Sequence, residues 1–118
     1  MAIPNIVNVA TINAHTVVSV LTTTLTTTLV ASASEYVYKI NLLRCANITD
    51  NDATVTIDVE KGGTHKMIAN EVTVPANSVV DVIDKTNSFY LEETDLIRGG
   101  ASAADTIDCV ISYEALAD

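Results

Sequence analysis

At 118 residues, 48% of them apolar and with a net charge of −9, the chain suits one domain able to bury roughly two-thirds of its unfolded surface. Fifteen acidic residues against six basic ones, scattered from Lys39 to Arg98, repel phosphate and form no patch, so no direct contact with nucleic acid is expected. Five aromatics with no Trp speak against a base- or sugar-stacking platform, and the positive mean hydropathy speaks against disorder.

Residues Met1 to Ser34 contain no Asp, Glu, Lys or Arg, and all twenty-one charged side chains follow from Glu35 onward. At the chain-wide charged fraction of 18% such a run has odds of about one in a thousand. It is not a membrane span, because Asn5, Asn8, Thr11, Asn13, His15 and the threonines between Thr22 and Thr28 interrupt every apolar run well short of about 18 residues. A segment without charges ordinarily lies against protein. Residues 1–15 are expected to form an extended N-terminal arm, with Ile3, Ile6, Val7, Val9 and Ile12 as its apolar contacts. Pro4 removes a donor and restrains residue 3, and Asn5, Asn8 and Asn13 suit packing on the arm's own body poorly. Extended, the arm spans about 45 Å, far enough to reach a neighbouring subunit.

Residues 16–118 are expected to form the folded domain. Residues 16–33 read as one or two strands, since Val17, Val18, Val20, Leu21, Leu25, Leu29 and Val30 are interleaved with Ser and Thr, which fit a pleat. The run Thr22–Leu29, TTTLTTTL, would place Leu21, Leu25 and Leu29 on one face of an extended strand. Period-two alternation then predicts strands near 36–48, 53–61, 64–70, 79–84, 88–92, 94–98 and 105–114. Tyr36, Tyr38, Ile40 and Leu42 share one face; Val55, Ile57 and Val59 share another; so do Ile107, Cys109, Ile111 and Tyr113. Breakers fall between the strands at Thr49–Asp52, Gly62-Gly63, Pro75–Asn77, Lys85–Ser88 and Gly99-Gly100. Gly62-Gly63 marks a tight two-residue hairpin turn. With no amphipathic helix of ordinary length between turns spaced about 8 to 14 residues apart, the class is all-β: a single antiparallel β-sandwich, jelly-roll-like, with an extended N-terminal arm.

Little in the chain suggests catalysis. His15 lies in the uncharged leader, and His65 follows the glycine pair as a solvent-facing strand residue. No G-x-S-x-G, H-E-x-x-H, phosphate loop or C-x-x-C occurs, and no cofactor or metal is expected. Asp50-Asn51-Asp52 opens like a calcium loop but continues with Val55 and Lys61 where an EF-hand has Gly and Glu, so an Asx-rich turn is the stronger reading. Glu92, Glu93 and Asp95 read as a solvated strand end rather than a hydrolytic carboxylate pair. Tyr36 and Tyr38 suit a core, an interface or a ligand groove. Cys45 and Cys109, both in apolar strands, read best as reduced core thiols, with a cross-strand disulfide as the alternative. The Met-Ala-Ile-Pro start lacks the features of a secretion signal, and synthesis in a reducing cytoplasm is the expectation.

Three stretches carry a resemblance: YKINLLRCANITDNDATVTIDVEK (Tyr38–Lys61), VPANSVVDVIDKTNSFYLEETDLIRGGASAAD (Val74–Asp105) and IDCVISYEAL (Ile107–Leu116). Together they resemble small β-sandwich virion structural proteins of tailed bacteriophages, the capsid decoration or cement type in particular. The carrying features are the Ala46-Asn47 turn, the Pro75–Ser78 turn before a valine strand, the Tyr90–Glu93 strand and the closing VISYE. Members of this look place a Gly soon after the two acidic residues, where this chain has Thr94-Asp95. The resemblance implies no catalytic residue. It implies a passive fastener on the capsid surface, made in the host cytoplasm, whose partners are the major capsid protein and sibling subunits in a dimer or trimer. Alternatives are a tail, neck or fibre-attachment component of the same build, or a receptor- or glycan-binding sandwich.

Overall fold

The structure, a computed structural model, describes residues 11–117. These residues are all-β, and the nine strands are β1 (Thr11–Val20), β2 (Thr27–Ala31), β3 (Val37–Asn47), β4 (Ala53–Lys61), β5 (Thr64–Val74), β6 (Val79–Ile83), β7 (Phe89–Leu91), β8 (Leu96–Ala101) and β9 (Ile107–Ala117). They form two antiparallel sheets, one ordered β1-β9-β3-β6 with β7 also beside β3, the other ordered β2-β8-β4-β5. The pairing is nested: β4 with β5, β3 with β6, β2 with β8 and β1 with β9. The innermost hairpin turns at Gly62-Gly63, both with positive φ (59° and 83°), as two adjacent glycines in a tight turn require.

The alternating apolar residues of both sheets meet in one core. Ile40, Leu43, Ile107 and Ile111 come from the first sheet and Leu29, Val55, Ile57 and Ile97 from the second, none more than 2% exposed. Each such side chain contributes roughly 1.5–3 kcal/mol on burial, so the sheet-to-sheet contact is the main source of stability. The result is a sandwich-like all-β domain.

A register shift against β9 turns Leu42 away from the face of Ile40, so that Leu43 enters the core in its place, and four further expectations about elements change. First, β1 begins at Thr11 and runs through His15 in unbroken register with β9, from Thr11↔Ala117 to Val20↔Asp108, so the arm boundary at residue 15 falls inside a strand. The sequence hides this because Thr11–Thr16 are exposed on both faces and show no period-two apolar signal. Ile12 belongs to that strand, while Ile3, Ile6, Val7 and Val9 lie outside the described residues. Second, the TTTLTTTL run is not one strand. Leu21 and Leu29 enter the core, but between them the chain turns over from one sheet to the other, with the Thr24 and Thr26 hydroxyls hydrogen-bonded at 2.7 Å.

Third, Gly99-Gly100 lie within β8 instead of ending it. Closeness of neighbours explains the glycines: a Cβ on Gly99 would meet Leu21 Cδ2 at 2.8 Å, and one on Gly100 would meet the Thr24 carbonyl oxygen at 2.9 Å. Fourth, β5 runs past residue 70 to Val74 through an irregularity at Glu71, where φ is 51° and the N–H donates to Thr56 Oγ1.

Candidate interaction surface

A sheet edge presents unpaired N–H and C=O groups, and folded proteins ordinarily shorten, bend or charge their edges to prevent association. Among the described residues, three of the edge strands follow that rule plainly. β2 has five residues and a register shift at Leu29. β6 has five, carries Asp81 and shifts register against β3. β5 is long but carries Lys66 and Glu71 and is twice irregular against β4. β1 is different: ten residues, TINAHTVVSV, with no charge, no proline and no register shift. No described strand pairs with its outer edge.

Directly opposed residues of an antiparallel pair point to the same face. Ile111 and Tyr113 point into the core, so Val17 and His15 share the inner face, while Ile12, Ala14, Thr16, Val18 and Val20 point outward. Three of the outward group are large and open to solvent, Ile12 at 59%, Val18 at 73% and Val20 at 43%. Val110 on β9 and Val79 on β6, the latter 55% exposed, extend this apolar surface across the sheet. An open hollow of about 530 Å³ lies beside it, lined by Val18, Ser19, Val20, Asp108, Cys109 and Val110. Farther along the same face Arg44 forks onto Asp81 at 2.7 and 3.2 Å and holds that carboxyl below the usual carboxylate range.

On the inner face, His15 stacks on Tyr113 at 5.3 Å and Tyr113 on Tyr38 at 4.5 Å, with Tyr36 edge-on to Tyr38 at 6.3 Å. Four aromatic side chains, from β1, β9, β3 and the residue just before β3, thus form one ladder that anchors β1 to the body. Burial, with Tyr38 alongside, pushes the Tyr113 phenol above its ordinary range. The expectation for the Tyr36 and Tyr38 pair is met by packing, and the share of His15 and Tyr113 was not legible because it depends on which strands neighbour β3.

The remaining flagged residues serve structure. Asp50 Oδ1 accepts from Asn77 Nδ2 and Asp52 Oδ1 from the Ala76 N–H, tying the β3–β4 turn to the β5–β6 turn. Lys61 Nζ lies 3.1 Å from both Glu92 and Asp95, and Glu93 accepts from the Glu35 N–H, so this acidic group closes the β7–β8 turn; Asp95 is buried rather than solvated. His65 contacts Glu60 at 3.0 Å and Asp58 at 3.4 Å, and Asp58, 1% exposed, is held by a two-pronged bond from Arg98. Among the described residues no three His, Cys, Asp or Glu side chains group as metal ligands would.

Cys45 and Cys109 are directly opposed on β3 and β9, buried and unbonded, with their sulfurs 3.5 Å apart. The contact with Cys45 and burial together push the Cys109 thiol far above its ordinary range. Asn47 is the residue that sequence reading undervalued. At 3% exposure it donates to the carbonyls of Asn51 and Val74 and accepts from the Thr49 N–H and hydroxyl, making it the centre of the β3–β4 turn. No protein-family model matches the chain, and no curated protein is significantly similar to it.

Proposed function

We propose that the chain is a virion structural protein of the capsid decoration type, which fastens neighbouring subunits of a major capsid protein shell and has no catalytic task. The observation that carries this reading is β1: a ten-residue edge strand, its outer side paired by no described strand, in which a chain of net charge −9 places no charge at all. Such an edge gains backbone hydrogen bonds from a protein partner without stripping water from charged groups. The nested pairing supports a jelly-roll reading of the fold. With β7 set aside, eight strands wind as one long antiparallel ribbon into sheets ordered 1-9-3-6 and 2-8-4-5, the order of jelly rolls, an architecture common to viral capsid domains and lectins. Because that fold is shared with unrelated binders, the edge and the sequence resemblance carry the virion assignment.

The test is location and copy number. Labelled antibody on native particles should find hundreds of copies spread over the shell. Six or twelve copies at the tail axis would move the protein to the tail or neck, and absence from particles would end the virion reading. Because residues 11–14 belong to β1, a truncation probing the arm must stop at residue 10. A chain lacking residues 2–10 should keep its fold and lose shell occupancy.

A further inference from the structure

We propose that the outer edge of β1, which no described strand pairs, binds a second copy of the same chain, strand to strand about a two-fold axis through Thr16. This deepens the fastener reading by naming the edge's partner as a sibling subunit.

The argument begins with faces. In an antiparallel pair, residues i and j are opposed when their numbers sum to a constant, and only an even sum keeps outward residues facing outward. A sum of 32 opposes Ile12 to Val20 of the second copy, Ala14 to Val18 and Thr16 to Thr16 on the outer face. On the inner face it opposes Asn13 to Ser19 and His15 to Val17. Apolar residues meet apolar ones outside, Asn meets Ser inside, and a threonine pair sits on the axis, a favourable cross-strand match. Nine of the ten residues of β1 are used. A sum of 30 would instead set Asn13 against Val17 and His15 against itself.

Electrostatics permits a copy of this chain despite its acidity. In the joined sheet the row of Asp108 continues through Val20 into Ile12 and Leu116 of the second copy, and the row of Glu114 continues through Ala14 into Val18 and Val110. No row opposes two carboxylates. The two β9 strands stand three strand spacings apart, about 14 Å, well beyond the screening length of about 8 Å. Shape agrees as well. Ile12 of each copy projects beside the hollow formed by Val18, Val20 and Val110 of the other, so the three most open apolar side chains of β1 are covered together. The contact is isologous and therefore closes at two copies.

The experiment uses the full chain and three variants. Sedimentation at about 100 µM should give twice the 12.5 kDa chain mass, and Thr16→Lys, which sets like charges across the axis, should give a monomer with an unchanged circular dichroism spectrum. Thr16→Cys under oxidised glutathione should yield a disulfide-linked dimer, since opposed Cα atoms lie about 4.5–5.5 Å apart. Val18→Cys should not link, because the two copies of residue 18 are about 14 Å apart in this register. A monomeric or trimeric native chain, or linkage through residue 18 in place of residue 16, overturns the proposal. A monomer found on shells would sink this pairing while leaving the fastener role standing, and a dimer absent from particles would do the reverse.

Discussion

Gly99 offers a sharp test of the core. It stands in β8 opposite Ile57, and a methyl group there would lie 2.8 Å from Leu21 Cδ2, 3.1 Å from Ile57 Cδ1 and 3.3 Å from Leu29 Cδ1. All three neighbours are at most 2% exposed, so none can swing into solvent. Gly99→Ala therefore overpacks the core, at a cost of about 1–3 kcal/mol. Taking roughly 2.1 cal/mol/K of unfolding entropy per residue, the 118-residue chain loses about 4 °C of Tm per kcal/mol, so the expected fall is about 4–12 °C.

Leu21→Ala alone opens a cavity and costs about 2–5 kcal/mol. Combined with Gly99→Ala, the added methyl occupies space that Leu21 has vacated, so the double variant should be more stable than the sum of the two losses implies by at least about 1 kcal/mol. Urea unfolding followed by far-ultraviolet circular dichroism measures all four proteins. If Gly99→Ala stays within about 0.5 kcal/mol of the parent, or if the two losses simply add, Leu21 does not occupy the space above Gly99 and the reasoning fails.

Gly100→Ala should act elsewhere, because its methyl would meet backbone at 2.9–3.1 Å, at Thr24 and Leu25; we expect faster proteolytic cleavage in the Thr22–Thr26 turn and a loss of about 1–3 kcal/mol. Arg98→Met should lower the urea midpoint clearly, because it leaves the buried Asp58 carboxylate with only the 3.4 Å contact to His65, and the double replacement Asp58→Met/Arg98→Met should recover most of the loss in the same urea assay. Because the folded state keeps Cys109 protonated far above its ordinary range, the stabilisation from that group is complete below the unfolded thiol value of about 8.5 and declines as pH rises past it. Unfolding midpoints should therefore fall between pH 8 and pH 10, by less in Cys109→Ala, and a thiol reagent at pH 8 should label neither cysteine until urea is added.

Strands whose two faces meet different surroundings were legible. Ala53–Lys61 alternates Val55 and Ile57 inward with Thr54 and Thr56 outward, and its bounds emerge from sequence unchanged. β1 was not, because both its faces meet water along half its length and alternation records only a contrast in burial. Gly99-Gly100 were misread for a related reason. Glycine marks either a turn or a close approach, and only the tertiary position of Leu21 and of the Thr22–Thr26 turn distinguishes the two. Asn47 looks like an ordinary turn residue until one of its four hydrogen bonds reaches across to the Val74 carbonyl at the end of β5, a neighbour that spacing alone does not reveal.

The chain's own core explains the lack of charge at part of the leader. Leu21, Leu29, Val30 and Ser32 are at most 6% exposed, so the chain's own core forbids charge at those positions. No such reason applies to β1, where eight of ten residues are exposed. At the body's charged fraction of about 25%, ten positions should carry two or three charges, as β5 does with Lys66 and Glu71 on its equally exposed edge. Intramolecular burial thus accounts for those four positions of the leader and for none in β1. In β1 the missing charge coincides with an outer edge that no described strand pairs, and the protein partner proposed for that edge accounts for both properties at once, because a surface that loses its water to another polypeptide carries charge only at a cost.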